Sequence, residues 1–362
     1  MKMGFYSATV GPGGMLKTVA GAASKRGHET VVFEPNKTGV AASRKEEMAN
    51  CSVVAMGFSS QLCDEEMVLA EYLLGKKIPI VEIEDVPGSS ARPLAKEVAP
   101  RVARCYVAMP GWIENAREFG FRVPSYVGPP PHWGDSYVQM DAGESMREGF
   151  MERVDQITLA NLSRYHRIIY VPGTKNPQQV NKFLAAIVDA GSRVLHEDFV
   201  LGFRAHPGED PKKGDEAIAA YRQAIEERKE ILNGISLLES GSATSANLVG
   251  AADITFFPGG GPTESIVAAY QRKNAIYYWD ADVEKALKGL GVPDGKWFPA
   301  EMGGVLKVTT PEELCAGISS LLTRDGQAAL RASQEKNFEI TSNFNWNTGP
   351  LLAEKLEAIA RA

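Results

Sequence analysis

Asp253-Ile-Thr-Phe-Phe-Pro-Gly-Gly-Gly-Pro-Thr-Glu-Ser-Ile-Val-Ala-Ala-Tyr270, running on to Ile276-Tyr-Tyr-Trp279, is a strand, a turn, a helix and a second strand. Residues 254–257 are a short apolar run that reads as a strand, and Pro258 with three successive glycines ends it. The helix begins near Pro262, Thr263 and Glu264, and the apolar residues 276–279 form the next strand. This is one βαβ unit with a bare backbone loop at the carboxyl end of its first strand.

Gly259, Gly260 and Gly261 leave backbone N–H groups unshielded by side chains. The helix that follows turns the positive end of its dipole toward the same place, which suits a diphosphate. Pro262 fits a first helical turn, Thr263 can cap the helix or bind an oxygen, and Glu264 can accept bonds from sugar or ribose hydroxyls. A simple strand-to-helix turn does not need three glycines.

The rest of the chain repeats this rhythm. Apolar segments at 3–8, 30–33, 52–57, 78–82 and 104–108 alternate with helical stretches near 15–26 and 64–75. A second series follows at 167–171, 199–204, 235–238, 254–257, 275–279 and 305–308, with helices near 178–190 and 215–232. The fold class is therefore α/β: two Rossmann-like, doubly wound parallel-sheet domains, expected to face a central cleft. Tyr126-Val-Gly-Pro-Pro-Pro-His-Trp-Gly-Asp135 separates them, its three prolines stiffening the chain toward an extended form. The expected layout is a first domain over 1–135, a connecting helical segment over 136–166, a second domain over 167–345, and a last helix over 346–362 that packs back on the first.

At 44% hydrophobic and 23% charged, 362 residues are enough for two globular domains, which excludes a disordered or fibrous chain. A net charge of −6 carries no basic footprint for nucleic acid. The beginning of the chain lacks the basic-then-apolar pattern of a signal peptide, and no apolar run reaches membrane-spanning length. The four cysteines are scattered without a C-x-x-C pair, so neither a zinc site nor a disulfide framework is indicated. A cytoplasmic location is expected, and no metal or organic cofactor is called for.

Further candidate residues sit at other strand ends. Gly11, Gly13 and Gly14 follow the first strand as a glycine-rich loop, but Leu16 occupies the position where a dinucleotide fingerprint needs its last glycine. Gly173, Thr174 and Lys175 occupy the corresponding place in the second domain, where Lys175 can neutralise a phosphate. In Phe203-Arg-Ala-His-Pro-Gly-Glu209, Arg204 and His206 emerge at a strand end and point to one face, and the histidine can hold a phosphate or a base edge. Asp85, two residues past the apolar run 78–83, is a candidate general base, and His132 beside the prolines is another. Asp64, Glu65 and Glu66 read as ordinary helix starters.

Taken together, Phe256-Phe-Pro-Gly-Gly-Gly-Pro-Thr-Glu-Ser265 and Arg204-Ala-His-Pro207 resemble motifs of the two-domain GT-B glycosyltransferases and of the non-hydrolysing UDP-sugar 2-epimerases. The first resembles the loop and helix that hold a nucleoside diphosphate, with Glu264 in the place of the ribose-binding acid. The second resembles the His-Pro turn of epimerases and some transferases, and Gly11–Gly14 the loop beneath the acceptor. Glu264 is followed by Ser265 where the epimerases carry a second glutamate, and no His-Val-Glu-Ala-Gly segment is found, which favours the transferases.

The resemblance implies metal-independent transfer of a sugar from a nucleotide donor to an acceptor hydroxyl. Gly173, Thr174, Lys175, Arg204, His206, Gly259–Gly261, Thr263 and Glu264 would bind the nucleotide, and Asp85 or His132 would take the acceptor's proton. A UDP-sugar 2-epimerase and a non-catalytic nucleotide or sugar binder are the alternatives. The partners are then a nucleotide sugar and a small-molecule or glycan acceptor, with homodimerisation left open.

Overall fold

The computed structural model describes residues 1–8, 10–33, 42–58, 63–83, 104–106, 129–147, 167–172, 199–204, 219, 223, 236–239, 243–289, 292–338 and 347–362. They fall into two compact units. One comprises Met1–Asp135, Lys285–Gly295 and Ser342–Ala362, the other Ser136–Glu284 and Lys296–Thr341. The first division falls between Asp135 and Ser136.

The first unit runs β1 (Lys2–Tyr6), α1 (Val10–Lys25), β2 (Glu29–Val32), α2 (Ala42–Ala49), β3 (Val53–Met56), α3 (Cys63–Gly75), β4 (Ile80–Ile83) and β5 (Arg104–Tyr106). Its sheet is parallel throughout, in the order β2-β1-β3-β4-β5. β3 and β4 are buried at every position, as strands covered on both faces must be. Alternation decides which side chain goes where. Met3, Phe5, Val53, Ala55, Val81 and Ile83 join one cluster with α1, whereas Tyr6, Val54, Met56 and Ile80 join another beneath α2 and α3.

The second unit holds most of α4 (Pro131–Ser145), then β6 (Arg167–Pro172), β7 (Phe199–Arg204), β8 (Ser236–Glu239), α5 (Ser245–Ala251), β9 (Ile254–Phe257), α6 (Thr263–Tyr270) and β10 (Ala275–Tyr278). α7 (Ala281–Gly289), which passes into the first unit at Lys285, is followed by the short α8 (Phe298–Glu301), β11 (Leu306–Val308), α9 (Pro311–Leu321) and α10 (Arg324–Asn337) of the second. The six strands are parallel, in the order β11-β10-β9-β6-β7-β8. The chain moves outward from β6 to β8 and then returns to pair β9 with the other side of β6, Ile169 opposite Ile254. That reversal is the topological switch point of the sheet, the place where open α/β sheets form a crevice at their carboxyl ends.

Two features locate β9. The Asp253 carboxylate accepts hydrogen bonds from the Ile168 amide at 2.8 Å and from Arg147 at 2.6 Å, with Arg167 3.5 Å away. Behind it, α4 and α5 meet backbone to backbone. A Cβ on Gly250 would lie 1.8 Å from the Met140 carbonyl oxygen, and one on Gly143 would lie 2.1 Å from that of Asn247.

The structure alters the sequence-derived elements in two places. α4 starts at Pro131, inside the proline run expected to be extended. A third proline at the first helical position has no N–H to lose and a φ already suited to the helix, and Trp133 N donates to Pro130 O at 2.9 Å to close the first turn. Likewise, α1 begins at Val10, so Gly11, Gly13 and Gly14 form its first turns rather than a loop.

The last helix, α11 (Gly349–Arg361), lies against α1 in the first unit, burying Leu352, Ala353, Leu356 and Ile359 in the same cluster as Met15, Leu16 and Val19. Glu357 secures it, accepting from Arg26 at 2.8 Å and lying 3.2 Å from His28 Nε2. Arg26, and then His28, hold its carboxyl down to about 2.

Two outcomes follow from this packing. A carboxylate whose folded pKa lies below its usual value stabilises the fold above about pH 4.5 and loses that contribution as the pH falls toward 2. The stability difference between parent and Glu357→Gln, measured by denaturant unfolding, should therefore be present at pH 7 and shrink steadily below pH 4.5. Gly250→Ala forces a methyl onto a backbone carbonyl and should lower stability by about 1–3 kcal/mol, visible as a fall in Tm.

Candidate functional site

The triple-glycine loop leaves β9 at the switch point, beside the end of β6. Its conformation accounts for each glycine separately. Gly259 and Gly260 have φ of 87° and 78°, the left-handed region that side chains resist. Gly259 is also closed against a side chain, since its Cβ would stand 2.4 Å from Val283 Cγ2. Gly261 lies against the Trp297 indole, 3.2 Å from where its Cβ would be, whereas a Cβ on Gly260 would meet nothing. Turn geometry and packing thus explain much of what composition alone assigned to a ligand, and Gly260 is the residue whose open side they leave unexplained.

The helix that follows starts without a side-chain cap. Pro262 is the N-cap, one position earlier than a first-turn residue, and Thr263 is the first helical residue. Ser265 folds back instead, its amide and its hydroxyl both donating to Pro262 O at 3.0 and 2.7 Å. Among the described residues, the amides of Gly260, Gly261 and Thr263 make no backbone hydrogen bond. Glu264 is part-buried one residue further along. The loop and first turn therefore present backbone donors at the positive end of the α6 dipole, an arrangement suited to an anion.

Three buried side chains, Tyr277, Trp297 and Ser265, support the loop, none of them expected from the sequence to do so. Tyr277 in β10 donates its hydroxyl to Gly260 O at 2.6 Å, and Trp297 Nε1 donates to Ser265 Oγ at 2.8 Å. Burial raises the Tyr277 phenol far above its ordinary range, so it remains a donor at any working pH. The apolar run at 275–279 marked Tyr277 only as a strand residue. Trp297, forty residues from Phe257, carried no local signal at all.

Of the other nucleotide-side candidates, Arg204 is the last residue of β7 and pairs in register with Pro172 at the end of β6. Gly173, Thr174 and Lys175 follow Pro172 in sequence. They and His206 lie outside the described residues.

The first unit has its own reversal, between β1 and β3. There the exit of β1 is clamped by Glu66, which is fully buried and accepts from Ser7 Oγ at 3.0 Å and from the Ala8 amide at 2.8 Å. Glu66 does lie in the first turn of α3, and this contact gives it a second role beyond that of a helix starter. Asp64 remains exposed and in keeping with the helix-starter reading.

The glycines expected beneath an acceptor are helical, with Gly13 buried and Gly11 and Gly14 exposed. His132 sits in the first turn of α4. Its Nδ1 is buried without a hydrogen-bond partner, and burial pulls its pKa down to about 4, so the ring is neutral at pH 7. Asp85 lies outside the described residues. Among the described residues, no group of three His, Cys, Asp or Glu side chains could hold a metal ion, and no helix is long and apolar enough to cross a membrane.

The sequence matches no protein-family model and no curated protein. Solved structures do share its fold along nearly its whole length. The UDP-GlcNAc 2-epimerase of Neisseria meningitidis bound to UDP-GlcNAc is 11% identical with a TM-score of 0.62, over 99% of this chain and 100% of that one. A glycosyltransferase from Rickettsia africae is 13% identical with a TM-score of 0.57, over 99% and 97%. A sucrose-phosphate synthase from Thermosynechococcus elongatus is 10% identical with a TM-score of 0.54, over 100% of both chains. Identities this low speak for the backbone alone, and the backbone is that of the GT-B fold, the architecture of glycosyltransferases and UDP-GlcNAc 2-epimerases.

Proposed function

We propose that the chain is a glycosyltransferase that takes its sugar from a nucleoside diphosphate. The observation that carries this reading is the β9–α6 loop: amides without a backbone hydrogen bond among the described residues, at a helix N-terminus, at the switch point of a parallel sheet, in a GT-B fold. The amides of Gly260, Gly261 and Thr263 would hold the diphosphate, with Arg204, Lys175 and His206 adding charge or hydrogen bonds. Glu264 would accept from the ribose hydroxyls.

In the reaction an acceptor oxygen bonds to the anomeric carbon as the bond from that carbon to the phosphate oxygen breaks. The departing electron pair and negative charge pass to the diphosphate, which the loop amides and cations stabilise as it forms. The acceptor's proton goes to Asp85 or His132. His132, with its pKa near 4, is available unprotonated at neutral pH but holds a proton weakly.

A second reading, a UDP-sugar 2-epimerase, is favoured by the match at TM-score 0.62 to an epimerase. In that case the C2 proton leaves, the nucleotide is eliminated, and both return with the proton on the other face. The two readings share the diphosphate site and differ in what reaches the sugar.

A thermal-shift screen of UDP, GDP, CDP, dTDP and ADP tests the shared site. A ligand at one hundred times its Kd should stabilise the protein by about 2.7 kcal/mol, and Glu264→Ala should abolish much of the shift. No shift with any nucleotide would remove the reading. Incubation with UDP-GlcNAc in deuterated water then separates the two activities: deuterium at C2 identifies the epimerase, acceptor-dependent release of UDP the transferase.

Gly260→Ala distinguishes a ligand loop from a structural turn. Its φ should cost about 1–2 kcal/mol of stability in either case. A methyl on the open side should in addition weaken nucleotide binding by more than about tenfold, a loss of over 1.4 kcal/mol. Should His132 be the base, kcat/KM should stay flat from pH 8 to 5 and fall only toward pH 4, as the imidazole takes up its proton.

A further inference from the structure

The glycine loop has almost no side chains of its own, so its shape is set by its neighbours. Gly259 and Gly260 both take positive φ, which glycine adopts freely, and a Gly-Gly peptide can turn over with little steric resistance. Which way each amide faces is then a question of what holds each carbonyl. The carbonyl of Gly260 and the N–H of Gly261 belong to a single trans peptide and point in opposite directions. Tyr277, fully buried in β10, draws that carbonyl inward with a 2.6 Å hydrogen bond. The Gly261 N–H is therefore turned away from the core.

The next support acts one step along. Pro262 O is engaged by Ser265, whose hydroxyl in turn accepts from Trp297 Nε1. The Pro262–Thr263 peptide is thereby fixed with its N–H directed out of the helix start. The same indole packs against Gly261, and Val283 packs against Gly259. Residues from β10, from α7 and from the segment before α8 thus hold the four loop residues in one arrangement.

We infer that Tyr277 and the Trp297–Ser265 pair are positioning residues for a diphosphate, orienting the Gly261 and Thr263 amides toward the ligand without touching it. This rests on the reading of the loop as a diphosphate site. Without the phenol hydroxyl, the Gly260–Gly261 peptide is released to rotate, and a donor aimed at the β-phosphate becomes an acceptor that repels it. The effect falls on the phosphate that the loop holds and spares the nucleoside. A merely structural tyrosine would change stability and leave that selectivity alone.

The test compares UDP with UMP by calorimetry for the full chain and for Tyr277→Phe. The hydroxyl's removal should weaken UDP binding by about five- to tenfold, the usual worth of one hydrogen bond, while UMP changes by less than about twofold. The UDP-to-UMP affinity ratio thus falls. Ser265→Ala should lower the same ratio through the Thr263 amide, and it decides the matter if Tyr277→Phe does not fold. A ratio that stays at the parent value in the folded variants, whatever happens to Tm, overturns the positioning role and leaves the diphosphate site standing. A parent protein that binds UDP no better than UMP overturns both.

Discussion

The hydrogen bond from Tyr277 to the Gly260 carbonyl ties a central strand of a parallel sheet to a loop that cannot shape itself. Glycine accepts the left-handed φ this turn demands, but the same freedom leaves the peptide planes undirected until something outside the loop engages them. Burial makes the bond effective. Tyr277 lies in β10 fully buried, so its phenol has little water to bond with and is held on the carbonyl. The Gly260 and Pro262 carbonyls are engaged by Tyr277 and Ser265, and the Gly259 amide by Phe257 O, while the amides of Gly260, Gly261 and Thr263 make no backbone hydrogen bond among the described residues.

That arrangement sits where the strand order reverses, and the reversal depends on Asp253. By accepting from Ile168 N and from Arg147, its carboxylate fixes the start of β9 beside β6, although the two strands are more than eighty residues apart in sequence. The close backbone approach of α4 to α5, permitted by Gly143 and Gly250, covers the same region from outside. The first unit shows a related solution at its own reversal, with Glu66 buried against the exit of β1. In both units a carboxylate placed by tertiary structure holds a strand end by its backbone amides, an interaction that stays strong because it is charge-assisted and largely shielded from water.

The GT-B backbone places this chain among folds that serve both sugar transfer and 2-epimerisation. The fold does not choose between those reactions, because chemistry is decided by the few groups that reach the sugar. Under the proposed reading the loop of the second unit would serve either reaction, as each breaks or remakes a bond to a diphosphate. In the first unit, burial keeps His132 neutral at pH 7, and Asp85 follows β4 by two residues in sequence, outside the described residues.

The periodicity of the sequence determined much of the fold. β7 and β9 occupy the residues that their apolar runs mark; β9 is buried at every position, as a strand covered on both faces must be, and is bounded sharply by proline and glycine. The glycine loop was legible for the same reason. The start of α4 was not, because three prolines read as extended until the last one takes the first helical position. Nor was the helical setting of Gly11–Gly14, where glycine composition suggests a loop and only contact with the body of the unit makes a helix. The role of Glu66 was equally hidden, since an acid near a helix start looks the same whether it faces water or a strand end. Tertiary structure alone brought Tyr277, Trp297 and Ser265 beneath the loop, since hydrogen bonds between residues distant in sequence depend on where the strands and helices pack, and local pattern carries no record of that.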